Sequence, residues 1–176
     1  MYIRSVTLAD AGELVEIYAP YVRETAITFD TEVPTAKEFE NKIRHITSFY
    51  PFIVAVENDE IIGYAYADVF RSKAAFDWSV EVTIYVRRGC HRKGVGTALY
   101  LRLEELLKKQ NITNLYACIT YPNPESIAFH EKLGYSYIGR FEKCGYKLGQ
   151  WQDVVWLGKV IGAHGEEPEK VIAAKQ

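Results

Sequence analysis

Side chains that can carry positive charge are densest in one seven-residue stretch of the chain. These side chains are Arg87, Arg88, His91, Arg92 and Lys93. Gly89, Gly94 and Gly96 lie among and after them, and glycine lets a backbone turn tightly and expose its amides. A strand-like pattern ends just before this stretch, and a helical pattern starts at Gly94. Because free amides in the first turn of a helix bind phosphate, we predict an anion site here.

The spacing of this basic loop excludes two well-known phosphate-binding loops. A P-loop needs Lys and then Ser or Thr directly after its last glycine, whereas Val95 follows Gly94. The GxGxxG spacing of a dinucleotide-binding turn is also missing from the loop. The plainer interpretation is a solvated run of charge, followed by glycines that only allow close helix packing.

Glu81 is a candidate general base just upstream of this loop. Residues 76–86 alternate, and the side chains predicted to share the apolar face of a strand are Phe76, Trp78, Val80, Val82, Ile84 and Val86. Glu81 lies on the opposite, polar face between Ser79 and Thr83, where a carboxylate can take up a proton. The alternation by itself equally fits a carboxylate on a solvent-facing side of an antiparallel sheet.

Two further candidates follow the basic loop. Asn123 precedes Pro124, a pair typical of the start of a helix, so Asn123 is predicted to cap that helix. His130 lies on the same helix and titrates near neutrality, so it is a candidate proton donor. Packing between Phe129 and Leu133 is an equally good reason for a histidine at position 130.

The cysteines and histidines indicate neither a nucleophile nor a metal site. Cys90 lies in the basic loop, where positive charge lowers a thiol pKa, but no general base is paired with it. Cys118 and Cys144 are predicted to be small hydrophobic residues buried in strands. The chain has four histidines, which are His45, His91, His130 and His164. They do not show the spacing of metal ligands, so no metal is expected.

Length and composition indicate one domain of an ordinary globular protein. The chain has 176 residues, of which 48% are hydrophobic and 25% are charged. A net charge of −2 and a pI near 6.1 exclude a general nucleic-acid binder. Without a signal peptide or an apolar run of membrane-spanning length, and with an odd number of cysteines, the protein is predicted to be cytoplasmic, with no membrane partner.

The elements that must position these residues predict an α+β domain over residues 1–161, followed by a flexible tail from Gly162. Two capping boxes, Thr7 with Asp10 and Thr35 with Glu38, predict two early helices separated by a loop over 22–33. Further helices start at Gly94 and Pro124. The predicted strands are 2–6, 51–56, 61–69, 76–86, 115–120, 135–141 and 154–160.

The x-x-Gly-x-Gly loop in this order of elements resembles that of the GNAT superfamily of acyl-CoA N-acyltransferases. The resemblance runs from Tyr2 to about Lys159 and is greatest to the phosphinothricin acetyltransferase group, which includes acetylases of methionine sulfone and sulfoximine. The motifs that mark this group are residues 21–29, Val80-Glu81, Asn123-Pro124-Glu125-Ser126, Gly145-Tyr146-Lys147, Trp151 and Asp153. His91 stands where the loop usually has Gln or Arg.

The resemblance implies a three-layer α/β/α GNAT fold with a mostly antiparallel mixed sheet, acetyl-CoA as cofactor, and direct transfer to an amine. Glu81 would then be the general base, and His130 would protonate or stabilise the departing thiolate. Asn123 would hold the pantetheine arm, and the amides near Val82 and Ile84 would polarise the thioester. The predicted cofactor-binding residues are Val82, Ile84, Val86, His91, Arg92, Lys93, Gly94, Val95, Gly96, Thr97, Asn123, Ser126 and His130.

The acceptor is expected to be a small amino-acid-like amine. The residues predicted to bind it are Tyr21, Thr25, Thr28, Phe29, Arg71, Lys73 and Glu81. Asp77 stands where the phosphinothricin enzymes commonly have an arginine, which would disfavour an acidic acceptor if position 77 faced it; otherwise it pairs with Lys73 at the surface. Similar proteins use their C-terminal strands to form a homodimer. A protein N-terminal acetylase and a non-catalytic acyl-CoA-binding module are the alternatives.

Overall fold

A computed structural model describes residues 1–90 and 94–174 of the chain. The strands are β1 Tyr2–Ser5, β2 Phe52–Glu57, β3 Glu60–Val69, β4 Ser79–Val86, β5 Asn114–Tyr121, β6 Ser136–Lys147 and β7 Gln150–Val160. The helices are α1 Ala11–Glu24, α2 Ala36–Thr47, α3 Val95–Lys109 and α4 Pro124–Lys132. Two single turns of 3-10 helix, Leu8–Asp10 and Ala74–Phe76, precede α1 and β4.

The strands form one seven-stranded sheet in the order β1-β2-β3-β4-β5-β7-β6. Every neighbouring pair is antiparallel except β4 and β5, which are parallel. The parallel pairing runs only from Ser79 opposite Asn114 to Glu81 opposite Tyr116. Beyond Glu81 the two strands separate, so the sheet has a gap at its centre, beside the candidate base.

Helices cover both faces of the sheet, which confirms the predicted three-layer α/β/α architecture. Tyr85 of β4 packs edge-on against Tyr18 and Tyr21 of α1, with ring centroids 4.8 and 5.1 Å apart. On the opposite face, a Cβ added at Gly63 of β3 would lie 3.3 and 3.4 Å from side-chain atoms of Val95 and Leu99 of α3. We call the face with α1 and α2 the acceptor side and the face with α3 and α4 the cofactor side.

The capping boxes predicted at the starts of the early helices are confirmed. Both predicted capping boxes are present, and the Thr35 hydroxyl accepts a hydrogen bond from the amide of Glu38. The predicted loop over 22–33 is wrong at its beginning, because α1 continues to Glu24. The polar, threonine-rich composition after Val22 suggested a loop, but burial of Tyr21 and Val22 against the sheet extends the helix.

The strands around the site differ from their predicted bounds. β4 begins at Ser79 rather than at residue 76, because the chain before it makes a turn of 3-10 helix. β6 and β7 are much longer than predicted and join as a hairpin whose turn contains Leu148 and Gly149, both at positive φ. Most of β6 is exposed, so it lacks the alternation between buried and exposed side chains that reveals a half-buried strand.

Residues 169–174, within the predicted flexible tail, lie against the domain. The Trp78 indole donates a 2.8 Å hydrogen bond to the carbonyl of Glu169, and the Gln110 amide donates to the carbonyl of Ile172 at 2.7 Å. Val171 is buried with the core. These bonds join backbone groups of the tail to side chains far away in sequence, so no periodicity within the tail predicts them.

Candidate active site

The gap between β4 and β5 opens into a cleft that is lined by eight of the predicted site residues. Residues 81–85 and 117–120 line its two strand walls, and residues 27–29 close it on the acceptor side. Tyr100, Asn123, Ser126 and His130 line it on the cofactor side. With its open mouth included, the cleft measures about 740 Å³.

Glu81 lies on the acceptor side at the last paired position of β4, where the gap begins. Its side chain is half-buried, and this burial raises the pKa of the carboxyl above its ordinary value. Asp68, its partner across the β3–β4 ladder, raises the pKa further by like-charge repulsion, while Arg71 opposes the shift. A carboxyl with a raised pKa next to a cleft is suited to taking up a proton near neutral pH.

The amides of β4 that point into the gap follow from the hydrogen-bond pattern of its ladder with β3. The amide of Arg87 bonds to the carbonyl of Ile62, so residue 87 and every second residue before it face β3. Val82, Ile84 and Val86 therefore direct their backbone groups toward β5. Ile84 and Val86 lie beyond the last residue paired with β5, which leaves them directed into the gap.

The start of α3 has the backbone geometry predicted for an anion site. Gly94 caps the helix in the left-handed conformation with φ of 79°, and the amides of Val95, Gly96 and Thr97 are the first in the helix, where no intrahelical acceptor is available. A Cβ added at Gly96 would lie 3.1 Å from the Phe129 ring of α4, so only glycine allows this close packing. The predicted contributions of His91, Arg92 and Lys93 lie outside the described residues.

The two arginines before these positions are engaged elsewhere. Arg87 donates to the carbonyl of Ile61 and forms an ion pair with Glu13 of α1 at 3.1 Å. Arg88 pairs with Glu24 at the end of the same helix at 2.6 Å. Both therefore fasten the loop to α1, and of the predicted cluster of five charges at most three remain to bind an anion.

Asn123 and His130 are joined through α4. The Asn123 side-chain oxygen accepts from the amide of Ser126, which confirms the predicted cap, and its NH₂ group remains for another partner. His130 is buried, and its Nδ1 lies 2.8 Å from the carbonyl oxygen of Ser126, so Nδ1 carries the proton. Its Nε2 then accepts from the Tyr100 hydroxyl at 3.1 Å. Burial lowers the pKa of His130 and favours this neutral state.

The predicted acceptor residues of the early chain divide into cleft-lining and supporting ones. Thr28 and Phe29 line the same cleft as Glu81. Tyr21 is buried in α1 and donates a 2.5 Å hydrogen bond to the carbonyl of Val86. The Thr25 hydroxyl donates to the carbonyl of Tyr21 at the end of α1. Tyr21 and Thr25 therefore brace the segment that leads to the cleft and do not line it.

The family follows from a match over most of the chain. Residues 3–156 match the model of the acetyltransferase (GNAT) domain. The chain belongs to the GNAT acetyltransferase family. Acetyl-CoA is its cofactor, and the glycine-started helix and the free amides described above fit the pyrophosphate of that cofactor.

Three comparisons place this GNAT acetyltransferase more narrowly. It is 35% identical over 152 residues to the phosphinothricin N-acetyltransferase of Streptomyces viridochromogenes, covering 86% of this chain and 83% of the relative. It is 32% identical to the L-methionine sulfoximine/L-methionine sulfone acetyltransferase of Pseudomonas aeruginosa, covering 88% and 91%. The structure of a phosphinothricin acetyltransferase from Sinorhizobium meliloti with acetyl-CoA superposes with a TM-score of 0.92 and 30% identity, covering 97% and 94%.

The predicted cationic residues before β4, Arg71 and Lys73, do not line the acetyltransferase cleft. The Arg71 guanidinium stacks on Phe70 at 4.4 Å and is close enough to Glu81 to lower its pKa. Lys73 is exposed at the start of the 3-10 turn and does not line the cleft. Asp77 ends that turn, exposed and outside the cleft, and no ion pair joins it to Lys73 among the described residues.

The prediction that Cys118 and Cys144 are buried is wrong, because both are exposed. Cys118 lines the cleft on the acceptor side, where partial burial, Glu81 and Cys144 raise the pKa of its thiol to about 12. At neutral pH it is therefore a thiol, which is a poor nucleophile. Across residues 1–90 and 94–174, no group of three or more His, Cys, Asp or Glu side chains could hold a metal ion.

Two further residues near the candidate site have no signal in the sequence. Tyr100 occupies an ordinary position on α3, and its contact with His130 depends on how α3 and α4 pack. Asp68 is the penultimate residue of β3, and only the register between β3 and β4 places it beside Glu81. Within the described part of the chain, no helix is long and apolar enough to span a membrane.

Proposed function

We propose that this GNAT acetyltransferase acetylates the amino group of a small amino-acid-like acceptor of the phosphinothricin, methionine sulfone or methionine sulfoximine type, with Glu81 as general base. The observation that carries the proposal is the half-buried Glu81 carboxyl, its pKa raised, at the point where β4 and β5 separate. The names of the relatives from Streptomyces and Pseudomonas support this acceptor class.

Glu81 removes the proton that keeps the acceptor unreactive. A free alkylammonium has a pKa of about 10.4, so most of the acceptor is protonated at neutral pH. The raised pKa of Glu81 brings the carboxylate closer in basicity to the ammonium than an ordinary glutamate would be. The proton passes to Glu81 and then to solvent at the open mouth of the cleft.

The cofactor side supplies backbone groups that hold and orient. When bound, acetyl-CoA supplies an acetyl group activated as a thioester. The amides of Val95, Gly96 and Thr97, with His91, Arg92 and Lys93, would hold its pyrophosphate. The NH₂ group of Asn123 would hold its pantetheine arm, flanked by Ser126. The amide of Ile84 would donate to the thioester carbonyl oxygen as negative charge develops on it, and Val82 and Val86 lie on either side of it along the same edge of β4.

His130 acts through Tyr100 in this proposal. The neutral imidazole has no proton on Nε2, because its one N–H faces the carbonyl of Ser126. It therefore cannot itself protonate a thiolate from that atom, but it fixes the Tyr100 hydroxyl beside the cleft. The hydroxyl has one proton, and it turns that proton from Nε2 to the departing sulfur as negative charge develops there.

The acceptor side is small and has charge nearby, which suits a small polar amine. Thr28 and Phe29 form its wall, and Tyr21 and Thr25 support that wall. Arg71, with Lys73 further out, provides positive charge for an acidic group on the acceptor.

We propose that the chain forms a homodimer through the hairpin of β6 and β7 and acts in the cytoplasm. Large side chains exposed there are Tyr137, Ile138, Phe141, Tyr146, Leu148 and Trp151. Contiguous exposed apolar surface of this kind marks interaction sites.

The proposed compartment rests on the cysteines, because three free cysteines fit a reducing compartment. Sedimentation of the purified chain at the mass of a monomer would contradict the dimer, and cell fractionation tests the compartment.

The experiment that tests the proposed acceptor is a thiol-release assay with acetyl-CoA over a panel of amines. The panel contains proteinogenic amino acids, methionine sulfone, methionine sulfoximine, phosphinothricin and a short peptide with a free N-terminus. We expect the highest kcat/KM with the sulfone, sulfoximine or phosphinothricin. A preference for the peptide would indicate an N-terminal acetylase, and tight acetyl-CoA binding without turnover of any amine would indicate a binding module.

A further inference from the structure

The Phe29 side of the cleft packs against a glycine of β6 that does not itself line the cleft. Gly145 faces Phe29, and a Cβ added to Gly145 would lie 2.7 Å from Phe29 Cδ1 and closer still to Cε1. Carbon atoms do not approach to that distance, so the Phe29 ring occupies the space that any larger residue at 145 would need.

The backbone around Phe29 is held from several directions. Lys147, two residues along β6 from Gly145, donates a 2.6 Å hydrogen bond to the carbonyl of Thr28. The Thr28 hydroxyl is 2.5 Å from the Tyr18 hydroxyl, which also donates to Asp30 at 2.6 Å. With residues 28 and 30 held on both sides of it, Phe29 would relieve a clash at 145 by rotating its side chain.

We propose that Gly145 is a positioning residue for acceptor specificity, because it lets the Phe29 ring lie back on β6 and so sets the width of the acceptor end of the cleft. This inference rests on the proposed function for its kinetic consequence. A side chain at 145 turns the ring toward Glu81 and narrows the space for the acceptor. Long acceptor side chains, such as that of methionine sulfone, lose more binding than short ones.

Gly139 offers a matched control on the same strand. A Cβ added at Gly139 meets nothing within 4 Å, and neither glycine has a positive φ. We expect Gly145→Ala to raise KM for methionine sulfone about tenfold, the lower end of what a methylene-sized change in a pocket produces. KM for a short amino acid changes less, and kcat and the Kd for acetyl-CoA are retained. Gly139→Ala leaves all of these constants unchanged.

A double-mutant cycle tests whether Phe29 transmits the effect. In a Phe29→Ala background, Gly145→Ala is expected to change acceptor KM by less than about twofold, because the ring that would be displaced is gone. An equal effect of Gly145→Ala with and without Phe29 would overturn the inference, as would Gly145→Ala behaving like Gly139→Ala.

Crystal structures of the two alanine variants give a readout that needs no acceptor. The Phe29 ring is expected to turn into the cleft in Gly145→Ala and to stay in place in Gly139→Ala. An unmoved Phe29 ring in Gly145→Ala overturns the inference, whether or not an acceptor has been identified. Failure of every amine in the panel would refute the proposed acceptor class instead, and the ring position would still decide the role of Gly145.

Discussion

The two sides of the central gap present different chemical groups to the cleft: backbone amides on one side and side chains on the other. On the cofactor side, backbone amides of β4 and of the first turn of α3 face the cleft, and glycine at 94 and 96 allows this geometry. On the acceptor side, the wall is made of side chains held by other side chains, such as the Lys147 ammonium on the carbonyl of Thr28. One side is therefore set by backbone conformation and the other by tertiary packing.

This difference separates what stays fixed from what can vary. A backbone site recognises the same pyrophosphate and thioester whatever the neighbouring side chains are, so it fits one cofactor. A wall of side chains changes shape with single substitutions at Phe29, Gly145 or Lys147, so it can be adapted to different acceptors. Substitutions on the two sides should accordingly separate into effects on acetyl-CoA binding and effects on the acceptor.

The largest effect is expected at Glu81, where the two sides meet. Glu81→Gln should lower kcat/KM by about 10²- to 10⁴-fold near neutral pH, the usual contribution of a general base. The ionised base exists above its raised pKa, so wild-type kcat/KM should fall as pH falls through that value. The variant should lack this inflection, and its residual rate should rise steadily with pH as more of the acceptor loses its proton in solution. Acetyl-CoA affinity should be retained, because Glu81 is proposed to act on the acceptor.

Asp68→Asn is the control for this electrostatic account. Removing the like charge beside Glu81 should lower the pKa of Glu81 and move the acidic decline of kcat/KM to lower pH, without removing the activity. Profiles measured from about pH 5 to pH 9 bracket ordinary and raised carboxyl pKa values. Wild-type rates in Glu81→Gln would exclude Glu81 as the base, and an unmoved profile in Asp68→Asn would exclude Asp68 as a cause of its raised pKa.

The sequence predicts the cofactor side well because its signals are local. Gly94 and Gly96 at a helix start, and Asn123 before Pro124, are each recognisable within a few residues. The alternation of β4 also places Glu81 on the correct face. The same periodicity predicts the order of strands and helices, although not their ends where a turn or an exposed strand intervenes.

The acceptor side is poorly predicted because its contacts join distant parts of the chain. Lys147 reaches Thr28 across 119 positions, and Thr120 donates to the carbonyl of Ala26 across 94. Neither pair leaves a pattern in its own segment. Cys118 shows the same limit, since alternation cannot reveal that a strand position faces a cleft instead of a packed core.

An intermediate effect is expected for the pair that links the cofactor side to the departing sulfur. Tyr100→Phe should lower kcat about tenfold, because it removes a hydrogen bond of about 1.5 kcal/mol to a group that becomes charged. KM for the acceptor should be unchanged. His130→Gln should have a smaller effect if it acts by holding Tyr100, and adding it to Tyr100→Phe should cost little more. Additive losses in the double variant would show that His130 acts independently of Tyr100.

The smallest effect is expected at Gly96, and it tests whether the cofactor side depends on backbone approach. Gly96→Ala places a Cβ 3.1 Å from Phe129 and 3.5 Å from Ile84, so the first turn of α3 must shift away from α4 and β4. Overpacking of this kind costs about 1 kcal/mol, or about fivefold in Kd for acetyl-CoA.

Gly12 is the matched control, since it is also the second residue of its helix and a Cβ there meets nothing within 4 Å. Calorimetric titration with acetyl-CoA should therefore show weaker binding for Gly96→Ala alone, with acceptor KM retained in both variants. Equal affinities in the two variants would mean that close packing at Gly96 does not set the cofactor site.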